Sequence, residues 1–169
     1  MDVNGVYLTN LPTIVMVIIN MLKLGIIGHG ADKFTKQAEQ TAKLFISKIL
    51  TTHCGNVTLI SGHSPVGGID IWAEEIAKQL DIPTDIKNPK QHTWDAEYGY
   101  KQRNLDIARE SDILIIILVD KLPSNYKGMR FNSCYHCNTS THVKSGACWT
   151  GKEALKLNKT VKQYIVKND

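Results

Sequence analysis

Apolar and polar residues repeat along this chain with two different periods. Short runs of consecutive apolar residues are typical of buried strands, whereas longer stretches with apolar residues three and four apart are typical of helices. The run Ile-Leu-Ile-Ile-Ile-Leu-Val at 113–119 is the most hydrophobic segment and indicates a central strand buried on both faces. The predicted strands cover residues 23–27, 57–60, 84–86, 113–119 and 161–166.

Stretches with helical spacing separate these strands. The predicted helices cover residues 35–50, 69–80, 102–111 and 149–157. Regular alternation of apolar strands with helices predicts an α/β fold, specifically a three-layer, Rossmann-like, doubly wound sheet that is mostly parallel. We expect residues 21–169 to form this single domain, with a polar segment at 121–148 inserted between the central strand and the last helix.

An apolar extension, residues 1–20, precedes the first predicted strand. Its run at 11–19 is nearly continuous apolar sequence, but Pro12, Asn20 and Lys23 interrupt the longer stretch that a membrane span would need. Asp2 stands where a signal peptide would be basic. We therefore expect no membrane span or export signal, and a cytoplasmic protein. An extra strand, a short helix, a dimer contact and a poorly ordered tail all remain open for this segment.

Composition narrows the possible functions. The chain has 169 residues, of which 43% are hydrophobic and 21% charged, so we expect a globular protein and neither a disordered chain nor a coiled coil. The net charge of +4 is compatible with a small anionic ligand. It is too small for the dense basic face of a dedicated nucleic-acid binder.

Small and flexible residues follow the predicted strands, at the sheet edge where such folds bind ligands. They allow close approach of the backbone, and the amides of a helix N-terminus attract phosphate. We expect ligand contacts from Gly28, His29, Ser61, Gly62, Gly67 and Gly68. Asp70, in the first turn of a helix, is interpreted as either a helix cap or a partner of ribose hydroxyls.

Two later helices add charged candidates. Arg103 opens the helix before the central strand, with Asn104 beside it, and its guanidinium could hold a phosphate bidentately. Glu153 lies near the start of the last helix, where a surface partner of the helix dipole is the alternative interpretation. Gly146 and Thr150 precede it as candidate phosphate contacts.

Two sequence stretches resemble the SMF/LOG-like (SLOG) superfamily of Rossmann-like nucleotide-binding proteins. SGHSPVGGIDIWAEEIAKQLDIP is similar to the glycine turn and helix of the DNA-processing-protein branch, and GYKQRNLDIARESDILIIILV to the family's Arg…Ser-Asp helix and strand. The matching positions are Ser61, Gly62, Gly68, Asp70, Ala73, Ala77, Arg103, Ile107, Ser111 and Asp112. The resemblance covers residues 21–166 and implies nucleotide binding at the sheet edge.

The LOG branch implies a possible activity as well, because its members are phosphoribohydrolases that cleave nucleoside monophosphates. Its P-G-G-x-G-T-x-x-E motif is matched here by Gly146, Thr150 and Glu153, while Trp149 replaces a glycine. By this resemblance Arg103 would neutralise phosphate, and Glu153 would stabilise the sugar cation or activate water.

The cysteines point to a metal. Cys134, Cys137, His142 and Cys148 follow a C-x2-C-x4-H-x5-C spacing close to that of a zinc knuckle, and we expect them to bind a structural zinc. His136 is a competing ligand. Free thiols and a disulfide or redox pair of Cys134 with Cys137 are the alternatives. We expect no organic cofactor.

Three functional hypotheses follow. The first is a protein that binds a nucleotide-like small molecule to sense or sequester it, and the second is the N-glycosidic hydrolase built on Arg103 and Glu153. The third is a nucleic-acid-binding module that uses the knuckle-like segment. A homodimer is expected from the resemblance, and we expect no membrane partner.

Overall fold

The computed structural model describes residues 21–95, 97–131 and 133–169. The predicted N-terminal extension, residues 1–20, lies outside the described residues. Within the described part of the chain, no helix combines the length and the apolar character that crossing a membrane would require.

Five parallel strands form one sheet. They are β1 (Leu22–Gly28), β2 (Val57–Ser61), β3 (Thr84–Ile86), β4 (Ile113–Val119) and β5 (Thr160–Val166). Their order across the sheet is β3-β2-β1-β4-β5, and each pair of neighbours is parallel. The strand order therefore reverses between β1 and β4, which is where doubly wound sheets open a crevice for ligands.

Four helices cover the two faces of the sheet, as the alternating pattern predicted. They are α1 (Lys36–Thr52), α2 (Ile69–Gln79), α3 (Tyr100–Glu110) and α4 (Gly146–Lys156). Side chains of β4 alternate between two hydrophobic clusters: Ile115 and Ile117 share one with α1 and α2, and Leu114 and Ile116 share the other with α3 and α4. The three-layer α/β architecture is confirmed.

The helices follow local signals in the sequence. Thr35 caps α1 by accepting a hydrogen bond from the Ala38 amide at 3.2 Å, and buried residues then recur every four positions at Ala38, Ala42, Ile46 and Leu50. α4 begins three residues before its predicted start. Ser145 caps it there, through a hydrogen bond from the Ala147 amide to its hydroxyl at 3.2 Å.

The polar segment between β4 and α4 contains no regular helix or strand in its described residues. It is fastened to the domain by Asn168, whose side-chain nitrogen donates to the carbonyls of Lys33 and Lys121 at 2.8 and 2.9 Å. The Asn168 amide oxygen accepts from the Thr35 amide at 2.7 Å. One buried side chain thus joins the start of α1, the C-terminal end of the chain and the start of this segment.

Candidate functional site

The carboxyl ends of β1 and β4 open into a cavity of about 210 Å³, called here the main cavity. Its walls come from the end of β1, the first turns of α2, α3 and α4, and the stretch before α3. Six of the residues predicted from the sequence line it together: Gly28, Asp70, Arg103, Asn104, Gly146 and Thr150. The structure therefore gathers residues from four separated segments at the predicted edge of the sheet.

Arg103 is the main cation of this cavity. Its position on the first turn of α3 lets one terminal guanidinium nitrogen donate to the Gly62 carbonyl, and the guanidinium carbon lies 5.3 Å from the centre of the Tyr100 ring. Its Nε atom is buried and has no hydrogen-bond partner among the described residues. Burial also lowers the pKa of Arg103. A buried donor without a partner is costly, and an anionic ligand would satisfy it.

Asp70 supplies a carboxyl group beside Arg103. It is only 6% exposed, and its Oδ1 accepts a hydrogen bond from the Gly28 amide at 3.3 Å. Burial raises the pKa of Asp70 to about 6, although Arg103 and the Gly28 amide act in the opposite direction. The carboxyl group faces the end of β1, while Gly68 occupies the cap position of α2, so the capping interpretation of Asp70 is not what the structure shows.

The glycine-rich turn after β2 packs against Arg103 and Asp70 through Gly62. A Cβ atom on Gly62 would lie 2.5 Å from Arg103 and 2.9 Å from Asp70, so only glycine leaves room for both side chains. Gly67 and Gly68 have φ angles of 71° and 89°, which other residues rarely adopt. None of the three is among the residues that line the main cavity.

Ser61 and His29, two further predicted ligand contacts, make internal hydrogen bonds. The buried Ser61 hydroxyl donates to Glu74 at 2.6 Å. His29 Nδ1 accepts from the Val119 amide at 3.0 Å, and Nε2 lies 3.2 Å from the Lys144 carbonyl. Because Nδ1 accepts and Nε2 faces a carbonyl oxygen, the imidazole is neutral with its proton on Nε2. Burial lowers the pKa of His29 to about 3. His29 therefore links β1, β4 and the polar segment.

Glu153 does not line the main cavity. It lies on α4, and its carboxylate accepts from Lys156 Nζ at 2.7 Å. The structure thus brings Arg103 to the cavity, while it directs Glu153 to a contact within its own helix.

Aromatic side chains form the outer rim. Trp94 and Tyr100 line the cavity, and Trp94 packs edge-on against Trp149 with 5.4 Å between ring centres. Trp149 therefore adds to an aromatic rim. No spacing rule in the sequence indicates that Trp94 and Trp149 meet.

Four potential metal ligands converge beside the same helix. In the cysteine–histidine cluster, defined as Cys134, Cys137, His142 and Cys148, the ligand atoms lie within 4.8 Å of one another. They are close enough to hold a metal ion. Three of the four residues are fully buried, and Cys137 is partly exposed. Cys148 lies on the first turn of α4, so the cluster joins the polar segment to that helix.

Neighbouring groups orient these ligands. His142 Nε2 lies 3.4 Å from Cys148 Sγ, while its Nδ1 lies 3.3 Å from the Thr141 hydroxyl, which leaves Nε2 as the nitrogen that faces the cluster. Gln163 on β5 donates to Cys137 Sγ at 3.6 Å. Partners of this kind hold metal ligands in place. His136, the competing ligand, packs its ring against Tyr135 and is not in the cluster.

The thiols have unequal proton affinities. Burial raises the pKa of Cys148. Burial acts in the same direction on Cys134, but backbone amides, including those of Ser145 and Cys137, outweigh it and lower the pKa of Cys134. Amides that donate to a sulfur stabilise its thiolate, which is the form that binds metals. None of the four cysteines, all of which lie in the described residues, forms a disulfide.

No protein-family model matches this chain, and no curated protein matches it. Among solved structures it is similar to the molybdenum cofactor carrier protein from Chlamydomonas reinhardtii, with a TM-score of 0.54 and 18% identity over 85% of this chain and 76% of the other. It is also similar to DNA processing protein A from Streptococcus pneumoniae, with a TM-score of 0.51 and 15% identity over 86% of this chain and 50% of the other. The likeness to both structures shows that the chain shares their Rossmann-like α/β fold.

Proposed function

We propose that this protein binds a nucleotide, or a ligand derived from one, in the main cavity and so senses or sequesters it. The observation that carries the proposal is the buried Nε of Arg103, which has no partner among the described residues. Arg103 lines the same cavity as the buried Asp70. A phosphate beside Arg103 and α4 would satisfy the guanidinium, and ribose hydroxyls would bind Asp70. A base would stack on Trp94 or Tyr100.

Two further facts support binding rather than turnover. Glu153, the residue that hydrolysis would require, pairs with Lys156 and does not line the cavity. One of the structurally similar proteins is named as a carrier of the molybdenum cofactor, which is a binding role in the same fold. Hydrolysis through Arg103 and Glu153 stays a prediction, and release of free base from a nucleoside monophosphate would favour it.

We also propose that the metal of the cysteine–histidine cluster is a structural zinc ion. Three thiolates and one imidazole form a complete tetrahedral set for Zn²⁺ and leave no position open for a substrate. Zinc bound there would fix the polar segment against α4, and the residues just before Cys148, Ser145 to Ala147, line the main cavity. The metal would therefore act on the ligand site only by ordering its wall.

Calorimetric titration with AMP, GMP, CMP and UMP tests the binding proposal. We expect at least one of them to bind the native protein, and the Arg103→Met variant to lose about 2–5 kcal/mol of binding free energy. Arg109→Met is the matched control, because Arg109 lies on the same helix, with its side chain 55% exposed, and pairs with Asp106. It should bind as the native protein does.

The outcomes separate the hypotheses. Failure of all four nucleotides to bind, or equal losses in Arg103→Met and Arg109→Met, would contradict the proposal. Circular dichroism of both variants shows whether the fold is retained. Binding of single-stranded oligonucleotides that weakens steeply with salt would instead support the nucleic-acid hypothesis. The homodimer stays a prediction, and analytical ultracentrifugation measures the oligomeric state that tests it.

A further inference from the structure

A second cavity of about 270 Å³ adjoins the main cavity. The two share Gly28, Ser145 and Gly146 in their walls, so they meet at the start of α4. The outer wall of the second cavity comes from the polar segment, through Tyr126 and Phe131. This is the segment in which the chain departs from the family pattern, and it places a new surface next to the proposed nucleotide site.

The second cavity is cationic. Lys33 and Lys144 are part of its wall, and among the described residues its lining contains no carboxylate. His29, also in the wall, contributes no charge, since both ring nitrogens are committed to internal contacts. Lys144 Nζ lies 5.0 Å from the centre of the Phe131 ring, and Lys33 pairs at 3.4 Å with Asp32, whose side chain is 51% exposed. Two lysines around a polar cavity favour an anionic ligand.

We infer that the second cavity is a subsite for the distal phosphates of a nucleoside di- or triphosphate. This inference rests on the proposed function. With the nucleoside and first phosphate in the main cavity beside Arg103, the phosphate chain would cross Gly146 and end between Lys33 and Lys144. A nucleoside monophosphate would fill the main cavity alone. The ligand class is therefore a nucleotide that carries more than one phosphoryl group.

Gly146 leaves the junction between the cavities open. A Cβ atom at this position would meet no heavy atom within 4 Å, so a larger side chain could enter the junction without displacing the protein. Gly28, on the opposite wall, differs, because a Cβ there would collide with the Ile117 carbonyl. Gly146 is therefore the position at which a substitution can block the junction and leave the fold intact.

Calorimetric titration of the zinc-loaded full chain with AMP and ATP, without added divalent cation, tests the subsite. We expect ATP to bind about tenfold or more tightly than AMP, because two lysines add charge-assisted contacts. In the Lys33→Ala/Lys144→Ala variant this ratio should fall to about three or less, and Gly146→Val should reduce ATP affinity about tenfold. Lys156→Ala, which removes one charge, is the control for loss of a lysine outside the site, since Lys156 is exposed on α4 and lines neither cavity.

The outcomes distinguish the subsite from the function on which it rests. AMP and ATP binding with equal affinity to the native protein would overturn the subsite and leave the proposed function standing. An unchanged ratio in the double lysine variant, or an equal drop in Lys156→Ala, would also overturn it. If neither nucleotide binds, both proposals fail. Zinc content and melting temperature, measured for each variant, show that a lost preference does not come from unfolding.

Discussion

The cysteine–histidine cluster and the main cavity both use the first turn of α4, but their polar groups are arranged in opposite ways. In the cluster, four ligand atoms converge within 4.8 Å, and Thr141 and Gln163 satisfy the outer sides of the ligands. In the cavity, Arg103 keeps a buried nitrogen without a partner among the described residues, and Asp70 is buried with a raised pKa. Under the two proposals, the cluster is a closed centre that would serve stability, and the cavity is an open one that would serve binding.

The difference has an energetic consequence. A closed set of thiolates stabilises the fold once metal is bound, because the free energy of metal binding adds to the free energy of folding. A buried carboxylate and an unpaired guanidinium nitrogen weaken the fold until a ligand arrives. Substitutions in the two regions should therefore have opposite effects on the free energy of unfolding. Of four predictions, ordered from the largest effect to the smallest, the cluster and Asp70 variants test this contrast, and the His29 and Gln163 variants test neighbouring contacts.

Removing two metal ligands should have the largest effect. We expect the Cys134→Ser/Cys137→Ser variant to lose about one zinc per chain by elemental analysis, and its melting temperature to fall by about 10 °C or more. Cys54→Ser is the control, because Cys54 is an exposed thiol outside the cluster. Native-like zinc content in the double variant, or an equal loss in Cys54→Ser, would show that the cluster is not the metal site.

His29→Leu should cost about 2–4 kcal/mol of unfolding free energy, because the Val119 amide and the Lys144 carbonyl each lose a buried partner. His29 has a depressed pKa of about 3 in the folded protein, so the native chain should lose stability as pH falls from about 6.5 towards 3. The variant should lose this part of the pH dependence. Denaturant unfolding from pH 3 to 7 measures both effects, with His53→Leu, at the C-terminus of α1, as the control.

Asp70→Asn should act in the opposite direction and stabilise the fold by about 1–3 kcal/mol at pH 7. The amide carries no charge, so its burial avoids the cost of burying an anion. The folded pKa of about 6 lies above the ordinary value of 3.8, so Asp70 costs the native chain stability as pH rises from about 4 to 6. This pH-dependent loss should vanish in the variant.

Urea unfolding at pH 4, 5, 6 and 7 measures the effect, and Asp106→Asn provides an exposed carboxyl group as the control. The same Asp70→Asn variant should bind nucleotides more weakly, if Asp70 holds ribose hydroxyls. A variant that is less stable at pH 7 than the native chain would contradict the assignment of Asp70 to a binding site that opposes stability.

Gln163→Leu should have the smallest effect. Loss of its hydrogen bond to Cys137 Sγ should weaken metal affinity by about tenfold at most and leave the fold unchanged. Competition with a chromogenic chelator measures the affinity. Gln79→Leu, at the end of α2, is the control. It should release metal at the same chelator concentration as the native protein does.

The sequence predicted the sheet well, because the inner strands β1, β2 and β4 are largely apolar runs whose bounds the hydrophobic pattern marks. β3 and β4 have the predicted limits, and Ile113–Val119 is buried on both faces as expected. The start of α4 was predicted three residues late, since glycine and cysteine give no helical pattern there and the Ser145 cap lies next to the polar segment. The hydrophobic pattern of a helix is absent from this first turn, because its residues line the cavity or belong to the cysteine–histidine cluster.

The candidate site was predicted in part. Asp70 could be identified because it follows a glycine turn at a strand end, and Arg103 because it opens the helix before the central strand. The four cluster ligands could be identified because their spacing is characteristic. The internal roles of His29 and Asn168 could not be identified from the sequence, because their partners lie between 47 and 135 residues away along the chain. A hydrogen bond between distant segments has no signature in local sequence.

Native mass spectrometry of the full chain with added nucleotide tests the central claim, that a zinc-ordered wall and Arg103 together form a nucleotide site. We predict that the native protein carries one zinc and one nucleotide, and that Arg103→Met carries the zinc alone. The Cys134→Ser/Cys137→Ser variant should carry neither. A zinc-loaded native protein that takes up no nucleotide, or an Arg103→Met variant that takes up as much as the native protein, would contradict the account.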